Sequence, residues 1–216
     1  MPANRKPLTI SKPCLLLCEG DDEVNFFNAW FTELGFSHVQ VIAYQGKANL
    51  ATFLSDLVKA SGFSLVRRAG VTRDADEDAS AALMSMNHAI KNAPADFQRL
   101  AHAVFVLPGD GKPGALETLW LSSLSGHPIA DCVENFFLCI EATGWKPSDI
   151  FAKNDKARAQ LWIATKDTPN ERFGIAAWHG RRDPDKPWMK EKWVDFEHPC
   201  FASLKEFLLQ TFTSPL

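Results

Sequence analysis

Apolar positions in the first half of the chain alternate between the continuous runs of buried strands and the three-and-four spacing of helices. The run PCLLLC, for example, is followed by a segment with helical spacing that ends before a glycine. The predicted strands are Pro13–Cys18, His38–Tyr44, Phe63–Thr72 and His102–Leu107, and the predicted helices are Asp22–Leu34, Ala48–Ala60, Ala79–Asn92 and Ala115–Leu124. This alternation predicts an α/β fold with a mostly parallel sheet of about four strands flanked by helices.

The pattern changes near residue 125, after which helical spacing dominates. Further helices are predicted at Asp131–Ala142, Asp155–Thr165 and Phe201–Phe212, whereas residues 167–200 are rich in Pro, Gly and Trp and favour no single element. We therefore expect a flexible arm over residues 1–12, an α/β core over 13–125, and a mainly helical extension over 126–216 that packs on the same domain.

Composition and charge exclude little, but the distribution of charge is informative. Hydrophobic residues make up 46% and charged residues 23%, as in ordinary globular proteins. Residues 1–144 carry 11 Lys and Arg against 16 Asp and Glu, whereas residues 145–192 carry 11 against 7. This asymmetry suits a metal site beside a surface that attracts phosphates, or else an ordinary solvated face.

The cysteines and the N-terminus predict a cytoplasmic protein. The five cysteines lie mostly in apolar runs and form no CxxC pair, which favours buried, reduced thiols. The polar N-terminal residues are followed by an apolar run that is too short for a signal peptide or a membrane span.

Acidic residues follow two of the predicted strands. Glu19 comes directly after the first strand, and Asp74 and Asp76 come after the third. The carboxyl ends of parallel strands share one edge, and alternation would turn Asp74 and Asp76 to the same side with Ala75 facing away. Carboxylates so close together repel unless a cation or a proton intervenes, and an all-oxygen site suits Mg²⁺ or Mn²⁺. The alternative is that these acids are helix caps and solvated loop residues.

Several segments resemble a known family. LLLCEGDDEVNFF resembles the first TOPRIM motif, a strand that ends in glutamate and glycine, and VTRDADEDA resembles the second, with its D-x-D. VFVLPGDGKPGALETLWLSSL, NDKARAQLWIAT and FGIAAWHG are similar to a TOPRIM-related bacterial family, which is related to the nuclease domain of the OLD (overcoming lysogenization defect) proteins. The resemblance covers roughly residues 12–212 and implies a TOPRIM-like core.

The resemblance also implies roles for individual residues. Ligands for one or two Mg²⁺ or Mn²⁺ ions are expected at Glu19, Glu23, Asp74, Asp76 and Glu117. Catalytic roles are expected for Glu19, also as a general acid or base, for Asp74 and Asp76, and for Lys156 as a cation that neutralises a phosphate.

Within this family the residues favour hydrolysis of nucleic acid. A topoisomerase needs a nucleophilic tyrosine and a DNA-gripping domain, and Tyr44 is the only tyrosine here. A primase needs nucleotide-binding and template-binding modules for which the chain has little room. We expect a metal-dependent nuclease or related phosphodiesterase. Arg181 and Arg182 are candidates for phosphate binding, unless they belong to an ordinary exposed turn.

Two other functions stay open. OLD nucleases carry an ATPase domain, whereas this sequence has no G-x-x-x-x-G-K-[ST] loop, so the chain is alternatively a non-catalytic metal- or nucleic-acid-binding module that acts with a separately encoded ATPase. A phospho-acceptor or phosphatase with an aspartate nucleophile is the third possibility. The sequence does not distinguish DNA from RNA, and it leaves a homodimer possible.

Overall fold

The sheet at the centre of the fold has four strands, all parallel. A computed structural model describes residues 7–144, 155–166, 174 and 193–213 of the chain. The strands lie in the order β2-β1-β3-β4 and span β1 (Cys14–Cys18), β2 (Val39–Ala43), β3 (Arg68–Asp74) and β4 (Ala101–Leu107). The predicted α/β class is confirmed. Because β1 and β3 are neighbours, the strand ends that carry the two acidic motifs lie side by side.

Helices cover both faces of the sheet. Those in the described residues are α1 (Asp21–Leu34), α2 (Leu50–Leu57), α3 (Ala79–Lys91), α4 (Ala95–Gln98), α5 (Leu116–Ser122), α6 (Pro128–Ala142), α7 (Asp155–Ile163) and α8 (Ala202–Phe212). Short 3-10 turns occur at Lys47–Asn49, Phe63–Leu65 and Pro199–Phe201. Helices α1 and α8 pack on one face and α2 and α3 on the other.

Two predicted elements differ most from their bounds in the structure. The third strand was expected over Phe63–Thr72, but a 3-10 turn occupies its start, and pairing with β1 and β4 sets the strand at Arg68–Asp74. Asp74 is therefore the last residue of the strand rather than a residue after it. The second helix, expected over Ala48–Ala60, is α-helical only over Leu50–Leu57, because its ends tighten into turns.

The described end of the predicted arm contacts the core. Ile10 is only 3% exposed, and its N–H donates to the carbonyl of Ser61 at 2.8 Å. Gly62 permits this close approach, because a Cβ there would lie 2.0 Å from the carbonyl oxygen of Ile10. The flexibility of residues 1–12 stays a prediction.

Aromatic side chains join the C-terminal extension to the core. Trp30 of α1 stacks on Phe196 with ring centroids 4.7 Å apart, and the indole N–H of Trp120 donates to the carbonyl of Trp193 at 3.0 Å. The described parts of the extension share one apolar core with β1 and α1. Within the described residues, no helix is both long enough and apolar enough to cross a membrane.

The close packing of α8 on β3 gives a first prediction, because it depends on Gly70. A Cβ at Gly70 would lie 3.0 Å from the ring of Phe212 and 3.1 Å from Leu16. We expect Gly70→Ala to lower the free energy of unfolding by about 1–3 kcal/mol through overpacking, as measured by urea denaturation. The cost should be smaller in a Phe212→Leu background, which removes ring atoms from the clash. An equal cost in both backgrounds would contradict this packing.

Candidate functional site

A small acidic cavity of about 240 Å³ lies at the carboxyl edge of the sheet. Its walls come from the ends of β1 and β3, the loop after β2, and the first turns of α1, α5 and α7. The charged side chains that line it are Glu19, Asp21, Asp22, Glu23, Asp74, Glu117 and Lys156. Four of the five predicted metal ligands and the predicted lysine are thus gathered around one cavity.

The loop after β2 holds Glu19. The backbone carbonyl of Glu19 accepts from the N–H of Gly46 at 2.9 Å, and its Oε1 accepts from the N–H of Lys47 at 3.1 Å. Its Oε2 is buried and has no hydrogen-bond partner in the described part of the chain. Since a buried acceptor without a partner is costly, this oxygen is a natural position for a cationic ligand.

The glycine after Glu19 makes room for a second carboxylate. Gly20 is extended, a conformation open to any residue, but a Cβ there would lie 3.0 Å from Oε2 of Glu23. Glu23 lies in the first turn of α1, where the helix dipole favours an acid, and it is 7% exposed. The Glu-Gly pair of the first motif therefore has a steric reason as well as a chemical one.

The segment PGDGKPGALE ties the second acidic motif to α5. Asp74 is 6% exposed, and its Oδ1 accepts from the backbone N–H of Leu116, the first residue of α5, at 3.1 Å. Gly114 and Asp76 exchange two backbone hydrogen bonds, of 2.7 and 2.9 Å. Glu117, which is 5% exposed, is thereby carried into the cavity beside Asp74.

Asp76 does not have the extended backbone on which the alternation argument depended. Its backbone is left-handed, with a φ of 53°, because β3 ends at Asp74 and the bridge to Gly114 turns the chain. Its side chain is 48% exposed, and its Oδ2 accepts from the ammonium of Lys47 at 2.6 Å. Asp76 therefore lines the outer cleft described below rather than the inner cavity.

Lys156 reaches the acids from the extension. Its ammonium lies 3.7 Å from Oε1 of Glu117. The hydroxyl of Thr118 donates to Asp155 at 2.6 Å, so that the start of α7 is held against the start of α5. The lysine that the resemblance singled out, far away in the sequence, is thus part of the acidic cavity.

A wider cleft of about 1100 Å³ adjoins the inner cavity, and both are lined by Glu19, Asp74 and Lys156. The cleft adds two cations that the sequence analysis did not single out, Lys47 and Arg73. The Nε of Arg73 is buried and lacks a hydrogen-bond partner within the described ranges. The position of Lys47 in the loop after β2, at the edge of the sheet where the acids lie, was the feature that would have revealed it.

Burial and mutual repulsion shift the ionisation of these acids. Burial raises the pKa of Glu23 to about 7, with the nearby carboxylates of Glu117 and Glu19 adding to the shift. Burial likewise raises the pKa of Asp74 well above its usual range and raises that of Glu117 against the opposing charge of Lys156. Perturbed acids gathered in a cleft are typical of functional sites.

Burial alone would lower the pKa of Lys156, but the surrounding carboxylates, with Glu117 the foremost, raise it above its ordinary value. The ammonium is therefore held in its charged form. A fixed positive charge at the mouth of an acidic cavity is suited to an anionic ligand such as a phosphate.

The donor set suits a hard divalent cation, although the ligands are not closed around one. In the part of the chain that the structure describes, no three His, Cys, Asp or Glu side chains are arranged so that they could hold a metal ion. Lys47 and Lys156 instead neutralise Asp76 and Glu117. Carboxylate oxygens are nevertheless the donors that Mg²⁺ and Mn²⁺ prefer, and the unpartnered Oε2 of Glu19 is one of them.

Two segments that the sequence analysis singled out lie beside this site or outside the described residues. Arg181 and Arg182 lie outside the described residues, so their expected role in phosphate binding stays a prediction. Gly174, in the late FGIAAWHG segment, donates its N–H to Oδ1 of Asp22 at 3.4 Å. A Cβ on Gly174 would lie 2.1 Å from the backbone carbonyl oxygen of Asp22, so this position requires glycine.

The raised pKa of Glu23 predicts a stability penalty that depends on pH. Between its ordinary value of 4.5 and about 7, the folded state binds more protons than the unfolded state, so stability falls as pH rises. We expect Glu23→Gln to stabilise the protein in EDTA at pH 8, by at most about 3 kcal/mol, and to have a much smaller effect near pH 4.5. Glu33→Gln, at an exposed position of the same helix, is the matched control. Equal effects of the two variants in urea denaturation at both pH values would contradict the shift.

The comparisons with known proteins give a family. The family model described as "Protein of unknown function (DUF3226)" matches residues 13–213, nearly the whole chain. No curated protein and no solved structure matches the chain. On the extent of that match, the chain belongs to the DUF3226 family.

Proposed function

We propose that the chain is a divalent-metal-dependent phosphodiesterase that hydrolyses nucleic acid, similar to the TOPRIM nuclease domain of OLD proteins. One observation carries the proposal: buried carboxylates from separate segments surround a cavity that opens into a cleft bearing Lys47, Arg73 and Lys156. Hydrolysis of a phosphodiester requires acids that hold metal ions, beside basic side chains that bind phosphates.

The metal ligands of the proposal are the predicted acids: Glu19, Glu23, Asp74, Asp76 and Glu117. They would hold one or two Mg²⁺ or Mn²⁺ ions. Such an ion, when bound, lowers the pKa of a water molecule and offsets the charge that develops on the phosphate oxygens. The neighbouring positions of β1 and β3 support this set, because they bring the Glu-Gly and D-x-D motifs to one edge of the sheet.

Other groups of the chain supply charge and proton transfer. Lys156 and Arg73, which both line the cleft, would bind phosphate oxygens. The carboxyl group of Glu23, whose pKa is raised to about 7 without a metal ion, would release a proton near neutral pH when it binds a cation. The N–H of Leu116 keeps the carboxylate of Asp74 in place.

The proposal includes a cytoplasmic protein with reduced thiols. Cys14 and Cys18 are buried, and all five cysteines are free. Their burial in apolar strands is the packing expected of structural thiols, and burial raises the pKa of the Cys18 thiol well above its usual range.

One observation favours the second candidate, a non-catalytic module that binds metal or nucleic acid beside a separate ATPase. Lys47 and Lys156 pair with two of the acids and so offset part of their charge without a metal ion. A module of this kind would bind nucleic acid through the same cleft without cutting it.

Cleavage separates the two candidates. We expect the purified protein to cut DNA or RNA in Mg²⁺ or Mn²⁺, and Asp74→Asn to lower the rate by about a hundredfold or more, because the charge of a ligand is lost while its shape is kept. Gel-resolved cleavage of labelled DNA and RNA measures the rate. Asp96→Asn, an exposed acid that pairs with Arg99, is the control. Binding of nucleic acid without metal-dependent cleavage would favour the module.

Metal binding gives an independent prediction. We expect isothermal titration with Mn²⁺ to detect two coupled sites, and titration in buffers of different ionisation enthalpy to detect proton release at pH 7. Glu23, which is partly protonated there, must lose its proton to bind a cation, so the release should shrink by pH 9. A single weak site would favour the module, and the absence of binding would contradict the nuclease and leave only a module that binds nucleic acid.

A further inference from the structure

Lys47 is the residue that joins the two acidic motifs. Its backbone N–H donates to Oε1 of Glu19 at 3.1 Å, and its ammonium donates to Oδ2 of Asp76 at 2.6 Å. The backbone fixes its position, because Gly46 has a φ of 101° and donates its N–H to the carbonyl of Glu19 at 2.9 Å. The loop therefore places one ammonium group on the oxygens of a predicted metal ligand.

The ion pair contributes little to stability. The side chains of Lys47 and Asp76 are 55% and 48% exposed, and exposed pairs typically contribute about 0–1 kcal/mol. Separating the two side chains therefore changes an equilibrium constant by at most about fivefold. An interaction that is so easily exchanged suits a contact that breaks during function.

A departing ammonium group would stay in the cleft. Lys47 and Arg73 both line the wide cleft, as does Lys156 at its border with the inner cavity. The backbone bond of Lys47 to Glu19 does not involve the ammonium, so the side chain can leave Asp76 while the loop stays in place. The cleft is lined by six acids as well as by its three cations, so the cations would bind the phosphates of a nucleic-acid backbone while a divalent ion offsets the acids.

We infer that Lys47 is a counter-ion that neutralises Asp76 in the metal-free protein and moves to a phosphate of the nucleic acid when a divalent cation takes Asp76. The inference rests on the proposed function and deepens it. It makes metal binding and nucleic-acid binding cooperative, because each ligand releases the group that the other needs.

The test uses Lys47→Met, which removes the charge and keeps most of the stem, and the matched control Lys59→Met. Lys59 forms a similarly exposed pair with Asp56, at 3.2 Å, away from the site. Mn²⁺ binding is measured by electron paramagnetic resonance of the free ion, and binding of a cleavage-resistant phosphorothioate oligothymidylate by fluorescence anisotropy in Mn²⁺ and in EDTA.

For Lys47→Met we expect Mn²⁺ binding to tighten by about fivefold, the exchange cost of the exposed pair. We also expect the gain in oligonucleotide affinity on changing EDTA for Mn²⁺ to be smaller than in the wild type. In an Asp76→Asn background the effect on Mn²⁺ should disappear, whereas a general effect of lost positive charge would persist. Lys59→Met should change neither measurement.

The outcomes separate the inference from the proposed function. If the wild type binds Mn²⁺ but Lys47→Met binds it no more tightly, or if the gain persists with Asp76→Asn, the role of Lys47 is overturned and the metal site stands. If neither the wild type nor any variant binds Mn²⁺, the proposed function fails and the inference fails with it.

Discussion

The arrangement of the site is governed by the burial and mutual repulsion of carboxylates that surround one cavity. Glu23, Asp74 and Glu117 are each less than a tenth exposed, and burial raises the pKa of all three. The fold brings them together through strand order, since β1 and β3 are neighbours and end at the same edge. Neutral pH makes this arrangement costly, so the surrounding groups serve to reduce the repulsion.

Two kinds of group reduce it, and they differ in how easily they can move. The backbone N–H of Leu116 stabilises Asp74, and it moves only if the helix moves. Lysine ammonium groups neutralise Asp76 in the cleft and the buried Glu117 in the cavity, through lysine side chains that are more than half exposed. The backbone contact is therefore fixed, whereas the two lysines can exchange partners.

Sequence reasoning succeeded where one local pattern determined the result. The apolar run before Glu19 and the glycine after it predicted the strand, the turn and the carboxylate together, and the alternation of strands and helices predicted the parallel sheet. It failed where a contact between distant segments decided the geometry. Asp76 leaves the extended alternation because of its backbone bridge to Gly114, and no spacing within the D-x-D motif records that bridge. The docking of Ile10 depends in the same way on Gly62, far along the chain.

Whether a chain with these acids cuts nucleic acid or only binds it depends on the free energy needed to complete the metal site. An exposed ion pair contributes about 0–1 kcal/mol, whereas each pKa unit of displacement in a buried acid corresponds to about 1.4 kcal/mol. The cost of keeping the buried acids charged comes mainly from desolvation and partly from their mutual repulsion, and for Glu23 it exceeds the attraction that the exposed Lys47–Asp76 pair contributes. The proposed metal ion would offset that larger cost and would lose little by displacing Lys47 from Asp76.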